Sequence, residues 1–338
     1  MNIPHAFKDR KELAELTGSM RQLARVRRTV LDDGKGRGCR LAEFDNGTGL
    51  AFTVNCDRAL DINEFSYRGI PLVWQSKAGT VHPAFYDKEG LNWLRSFPGG
   101  LLCTCGLRNA GGPNTYNGEA LGLHGRFSNI PAENVNTFES WQDGRFALVI
   151  TGTIRESAAL CENLRVDRQI TTYFGDNTIY IDDTITNEGF APSQFMMLYH
   201  MNFAYPLVAP GALIEAPNSE VIPLTDDAAR GLATHSRMDD PQDDYPEQVF
   251  IHKVPADASG LSRVVLKNSA LGIGVALSYN LPNLVEWKQM SKGEYVLGLE
   301  PANCYPQGCT KNAEDNRLQI LTPGASVRHH IEVKPFDI

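Results

Sequence analysis

Short apolar runs that alternate with polar residues and are cut by turn signals make up most of this chain. The breaks include Asp32-Asp33-Gly34, Asp45-Asn46-Gly47, Asn187-Glu188-Gly189 and Pro323-Gly324, each a hairpin signal between apolar stretches. The pattern predicts strands at 40–44, 50–54, 146–155, 164–174, 178–187, 194–203, 263–268, 273–279, 284–290, 294–300 and 326–333. In 178–187, Ile179, Ile181 and Ile185 stand against Asp182, Asp183 and Thr184, as expected where one sheet face is buried and the other wet. Few helical periods interrupt the strands, so the expected fold is all-β: a large antiparallel β-sandwich.

Ahead of the strands, Leu13, Leu16, Met20, Leu23 and Val26 recur at three- and four-residue steps. This predicts a helix over 9–28, weakened at Gly18, inside an N-terminal helical cap (1–28) that shields a sheet edge. Residues 224–248 carry Asp226, Asp227, Asp239, Asp240, Asp243 and Asp244 around two prolines and read as a long acidic loop. No repeat or Ser/Gly linker divides the chain, so residues 1–338 are expected to form a single domain.

Composition narrows the function. Of 338 residues, 42% are hydrophobic and 21% charged, which is enough to bury a sizeable core. A net charge of -8 argues against nucleic acid or an anionic membrane as partner, since both need a basic face. The N-terminus shows neither signal peptide nor anchor, and no stretch nears the ~20 apolar residues of a spanning helix. Seven cysteines, an odd count with Cys103 and Cys105 very close, suggest free thiols and a cytoplasmic location. The expected assembly is a monomer or homodimer.

Four stretches carry candidate chemistry. In EYVLGLEP, Glu300 follows the apolar Val296, Leu297 and Leu299 and precedes Pro301. Pro301 cannot donate to a ladder, which predicts the carboxylate at a strand mouth, where partial desolvation raises its pKa toward that of a general base. In LGLHGRF, Gly122 and Gly125 flank His124, freeing the backbone to bend and a ligand to approach the ring. In MMLYHMNFAYP, His200 and Asn202 fall on one strand face by the period-2 rule, offering donors and acceptors that a polyhydroxy ligand would satisfy. In NCDRALDIN, Arg58 and Asp61 are either ligand-binding groups or a buried ion pair.

Taken together in chain order, Leu123-His124-Gly125, His200 followed by Asn202 and an aromatic, and Leu299-Glu300-Pro301 resemble the stations of the aldose 1-epimerase (galactose mutarotase) superfamily. Ser96–Asn109, SFPGGLLCTCGLRN, resembles an uncharacterised bacterial branch of it. The resemblance spans about Arg58 to Ile331. It implies a sugar cleft on a large antiparallel β-sandwich, a small-molecule sugar substrate and no cofactor. It also implies Glu300 as the base at the anomeric hydroxyl, His200 as the acid at the ring oxygen, His124 sharing the acid's work, and Arg58 clamping hydroxyls.

Two departures bear on the substrate. The Gly-rich run ahead of the first histidine is only partly matched by Leu107–Gly112, and the acidic station between His200 and Glu300 has only Asp239, Asp240, Asp243 and Asp244 as loose counterparts. Arg108, Arg126 and Lys288 suggest an anionic group on the sugar, with Trp287 or Trp93 stacking on its apolar face. Two other functions stand beside this one. His124, His200 and Glu300 could form a two-histidine, one-carboxylate metal site for isomerase or lyase chemistry, although no short HxH or HxxxH spacing supports a metal. The cleft could also bind carbohydrate without catalysis.

Overall fold

The structure, a computed structural model, describes residues 9–338. Its strands form three main antiparallel sheets. The first is a meander of Arg25–Val30, Arg40–Asp45, Leu50–Asn55, Asp61–Tyr67 and Ile70–Pro71. The second runs in the order Leu213–Glu215, Ser262–Asn268, Ile273–Tyr279, Ser326–Asp337, Asp176–Asn187, Asn163–Tyr173, Arg145–Ser157, Glu133–Gln142. The third runs Glu220–Pro223, Gln248–Lys253, Asn283–Ser291, Glu294–Ala302, Ser193–His200, Gln319–Leu321, with Cys103–Leu107 and Asn202–Ala204 pairing onto its middle.

One apolar core joins the sheets. Phe44 and Phe52 reach it from the first, Ile150, Ile170, Ile181 and Ile331 from the second, and Met197, Tyr199, Leu297 and Leu299 from the third. The strand Ser193–His200 is buried on both faces, and its alternation separates two environments. Phe195, Met197 and Tyr199 enter the sandwich core, whereas Met196 and Leu198 join Trp93, Phe97, Ile251, Val285 and Ala302 in a second apolar cluster behind them. His200 shares that second face by the period-2 rule. The cleft lies there.

The expected antiparallel β-sandwich is therefore present, with local corrections. The N-terminal helix spans Arg10–Leu16 and ends at Thr17, after which a short 3-10 turn, Met20–Gln22, leads into the strand Arg25–Val30. Gly18 and the β-branched residues after Leu23 do not sustain the helical period. Residues 1–8 of the expected cap lie outside the described residues. The segment still meets a sheet edge: Val26 N donates to Glu139 Oε1 at 2.7 Å, and the Arg10 guanidinium lies over Trp141.

The strand carrying Glu300 continues through Pro301 to Ala302, paired as Leu284↔Pro301 and Asn283↔Ala302. Proline lacks only the N–H, so it does not stop the ladder here. Within the acidic segment, Thr225 accepts from Ala228 N and caps a short helix, Asp226–Gly231, so 224–248 is only partly loop. Among the described residues the cysteines are unbridged, and no helix is long and apolar enough to cross a membrane.

Candidate active site

A cleft of about 720 Å³ opens on the outer face of the third sheet, lined by Trp74, Trp93, Phe97, His124, His200, Glu247, Trp287, Gln289, Glu294 and Glu300 among others. Three structural devices bring its polar groups together. Glu300 and His200 come from neighbouring strands paired at Leu198↔Ala302. Their side chains meet with Nδ1 of His200 3.0 Å from Oε1 of Glu300. Both atoms are buried, and neither has a hydrogen-bond partner.

His124 arrives on a turn instead. It has φ 56° and Gly125 has φ 70°, and a Cβ at Gly125 would fall 2.3 Å from the Gly106 carbonyl oxygen. Only glycine fits at that position. Gly111 N donates to His124 Nδ1 at 3.3 Å, which leaves Nε2 as the protonated nitrogen of the neutral ring. The His124 and His200 ring centroids are 5.6 Å apart, roughly perpendicular. Trp93 packs on His124 at 4.8 Å, and Phe97 and Trp287 pack on His200 at 5.2 and 5.3 Å.

Glycine serves the carboxylate too. Gly298 sits two residues before Glu300 on the same strand face, and a Cβ there would lie 2.3 Å from Glu300 Oε1. The carboxylate therefore lies back over the strand in space that a side chain would fill. The sequence carries a signal for this, a lone glycine inside an apolar strand.

Burial sets the electrostatics. Glu300 is pushed well above the usual carboxylate range, first by desolvation and then by the charge of Glu247. His200 is held well below an ordinary imidazole by desolvation and by His124, with Asn202 opposing. Desolvation also lowers His124 to about 4. Burial thus favours a neutral Glu300–His200 pair, with the one mobile proton on the carboxyl.

The other candidates divide. Trp287 lines the cleft and its Nε1 donates to Glu247 at 2.9 Å. Lys288, next on the same strand, points to the opposite face, where its Nζ meets Asp239 at 2.8 Å and the Arg237 carbonyl at 2.7 Å. Period-2 geometry forbids both from facing one ligand. Arg108 is held by Glu119 and Glu162, and Arg126 faces Glu119. None of these three cations lines the cleft.

Arg58 and Asp61 are not paired with each other. The Arg58 guanidinium donates to the carbonyls of Ser128, Val81 and Ser96, tying down the segment that carries Trp93 and Phe97 from behind. Asp61 accepts from Thr104 and meets the buried Arg168, which is also clasped by Asp183. Asn202 bridges the carbonyls of Gly100 and His200, and its own carbonyl accepts from Trp74 N. It positions the cleft wall without lining it.

Trp74, Phe97, Glu247, Gln289 and Glu294 were not singled out from the sequence. The strand Gln248–Lys253, which begins where the acidic segment 224–248 ends, is not among the strands expected from the sequence. His124, His200 and Glu300 do not gather three ligand atoms within 4.8 Å of one another, as a shared metal would need.

Comparison with known proteins bears on the family and the fold. A family described as a domain of unknown function, DUF4432, matches residues 36–334. The chain belongs to the DUF4432 family. A Klebsiella pneumoniae protein provisionally named an aldose 1-epimerase shares the fold with TM-score 0.86 and 27% identity, over 92% of this chain and 83% of that one. Galactose 1-epimerase from Lactobacillus acidophilus gives TM-score 0.63 at 13% identity, covering 93% and 99%. A galactose mutarotase-like protein from Clostridium acetobutylicum gives 0.63 at 12%, covering 94% and 100%. These last two show the fold alone. The search of curated proteins found no match. The fold is that of galactose mutarotase-like proteins, as the resemblance of the motifs implied.

Proposed function

We propose that this DUF4432 protein is a sugar mutarotase that interconverts the anomers of an aldose by acid–base ring opening. The observation that carries the reading is the 3.0 Å approach of His200 Nδ1 to Glu300 Oε1 at the floor of an aromatic-walled cleft. A cyclic sugar bears its hydroxyl and its ring oxygen on the same anomeric carbon. Two groups that serve those oxygens must therefore be neighbours, one accepting a proton while the other donates.

The proton balance closes on these residues. Moving the one proton of the favoured neutral pair across the 3.0 Å gap gives ionised Glu300 beside protonated His200, and from that state the carboxylate takes the proton of the anomeric hydroxyl and the imidazolium protonates the ring oxygen as the C1–O bond breaks. This leaves the neutral pair beside an open-chain aldehyde. Rotation about C1–C2 and reversal of both transfers closes the other anomer and restores the charged pair. The two states differ only in where one proton sits, so the tuning that favours the neutral pair stabilises the open-chain stage. His124, donating from Nε2, supports the oxygen side.

The lining also bears on the substrate. It contributes one cation, Lys77, already paired with Glu294, and the carboxyls of Glu247, Glu294 and Glu300. An anionic sugar would meet repulsion there, so the reading favours a neutral sugar whose apolar face stacks on Trp74 or Trp287. The test is anomer exchange by NMR on a panel of neutral aldoses and sugar acids. Accelerated exchange for a neutral aldose supports the proposal; binding without acceleration of any sugar would replace it with a carbohydrate-binding role.

A further inference from the structure

On the opposite face of the third sheet from the cleft, three metal-ligating side chains converge. His252 on the strand Gln248–Lys253 and Glu286 on the strand Asn283–Ser291 point inward from adjacent strands. His235 follows the 3-10 turn Leu232–Thr234 and closes over them. His235 Nδ1 lies 2.8 Å and His252 Nε2 2.7 Å from the same oxygen, Glu286 Oε2. Among the described residues this is the set of three such groups whose ligand atoms all come within 4.8 Å of one another.

We infer that His235, His252 and Glu286 bind a divalent transition metal of the zinc type, as a clip between the acidic segment and the sheet. Two imidazoles and a carboxylate match the donor preference of zinc and its neighbours, with a fourth position for water. A purely structural triad leaves something unexplained. Glu286 is wholly buried, yet its Oε1 has no hydrogen-bond partner, an uncommon cost for a carboxylate. A metal bound between the three would give that buried oxygen a partner.

The surroundings suit that role. Ser219 Oγ lies 3.5 Å from His252 Nδ1, on the side where a ligating histidine needs an acceptor for its other ring proton. Metal binding would move each imidazole proton to the nitrogen that faces away. Lys288, two residues on from Glu286 along the same strand face, is engaged by Asp239 and by the carbonyls of Thr234 and Arg237. His235 keeps 17% of its side chain exposed while its two partners have none, which marks the way in. Val249 and Trp287, on the same two strands, line the cleft, so the clip would stiffen one wall from behind. The inference is independent of the mutarotase proposal.

The experiment uses the full chain, stripped with chelator and titrated with Zn²⁺ and, separately, Co²⁺. Expected are a single equivalent bound, visible absorption of a low-coordinate Co²⁺ site, and a Tm rise of about 4 °C at a metal concentration 100-fold over Kd. His235→Gln, at the partly exposed position, should keep the metal-free Tm within about 2 °C of wild type and lose both the Co²⁺ spectrum and the Tm response. Failure of the wild type to take up either ion, or unchanged uptake by His235→Gln, would overturn the inference.

Discussion

Replacing Gly298 by alanine perturbs the proposed catalytic pair without touching either member. The added Cβ would stand 2.3 Å from Glu300 Oε1, 3.2 Å from its Cδ and 3.1 Å from the Trp287 Cβ. Non-bonded carbon and oxygen need about 3.3 Å or more, so the carboxylate must retreat by roughly 1 Å. Gly298 does not have the positive φ that alanine would resist, and alanine suits a strand interior better than glycine by about 0.5–1 kcal/mol, so folding should survive. A displacement of about 1 Å at a reacting group costs on the order of 100-fold, or about 2.7 kcal/mol of barrier. The assay is anomer exchange by NMR with wild type and Gly298→Ala on the sugar that the panel identifies, beside a binding isotherm. The expected result is a fall in kcat of about 100-fold with Kd changed by less than about threefold. Wild-type kcat in a folded Gly298→Ala protein would refute the idea that the Glu300 carboxylate must sit where it does.

Two further predictions concern stability. Desolvation depresses the His124 pKa to about 4 from an unfolded value near 6.5. Its contribution is therefore complete above about pH 6.5 and is lost as pH falls through about 4, up to roughly 3 kcal/mol and less because the ring borders the open cleft; denaturant titrations from pH 7 to 4 should show a smaller acid loss for His124→Gln than for wild type, and equal losses would contradict the assignment. Arg168 is fully buried between Asp61 and Asp183, so Arg168→Ala strands two carboxylates and should cost about 3–5 kcal/mol in chemical denaturation, whereas a loss under 1 kcal/mol would show that the cluster tolerates water.

How much of this was legible in the sequence follows from the range of each signal. Strand content was readable because period-2 alternation is local: Ile179, Ile181 and Ile185 are all buried, as their spacing indicates. His124, His200 and Glu300 were readable because each sits in an unusual local context, between glycines or at the end of an apolar run, and the fold brings all three to one cleft. The cations were misread because charge carries no direction. Lys288 faces away from the residue beside it, and Arg108 finds Glu119 and Glu162, partners no local pattern announces. The helix was overextended because helical spacing in Leu13–Val26 continued by chance into the strand Arg25–Val30. Gln248–Lys253 was lost because acidic neighbours hid its alternation. The His235–His252–Glu286 cluster, spread over about fifty residues, needed the sheet register to be seen.

The central claim is that one proton passes between Glu300 and His200 across a bound sugar. Glu300→Gln keeps the shape and removes the proton carrier, and it also removes a buried group whose ionisation works against folding as pH rises above the usual carboxylate range. Saturation-transfer NMR on the same sugar gives both readouts at pH 7: its line broadening reports binding, and its cross-peaks report interconversion. The account predicts unchanged binding, a Tm at or above that of wild type, and exchange reduced to the uncatalysed rate; undiminished exchange by Glu300→Gln would contradict it.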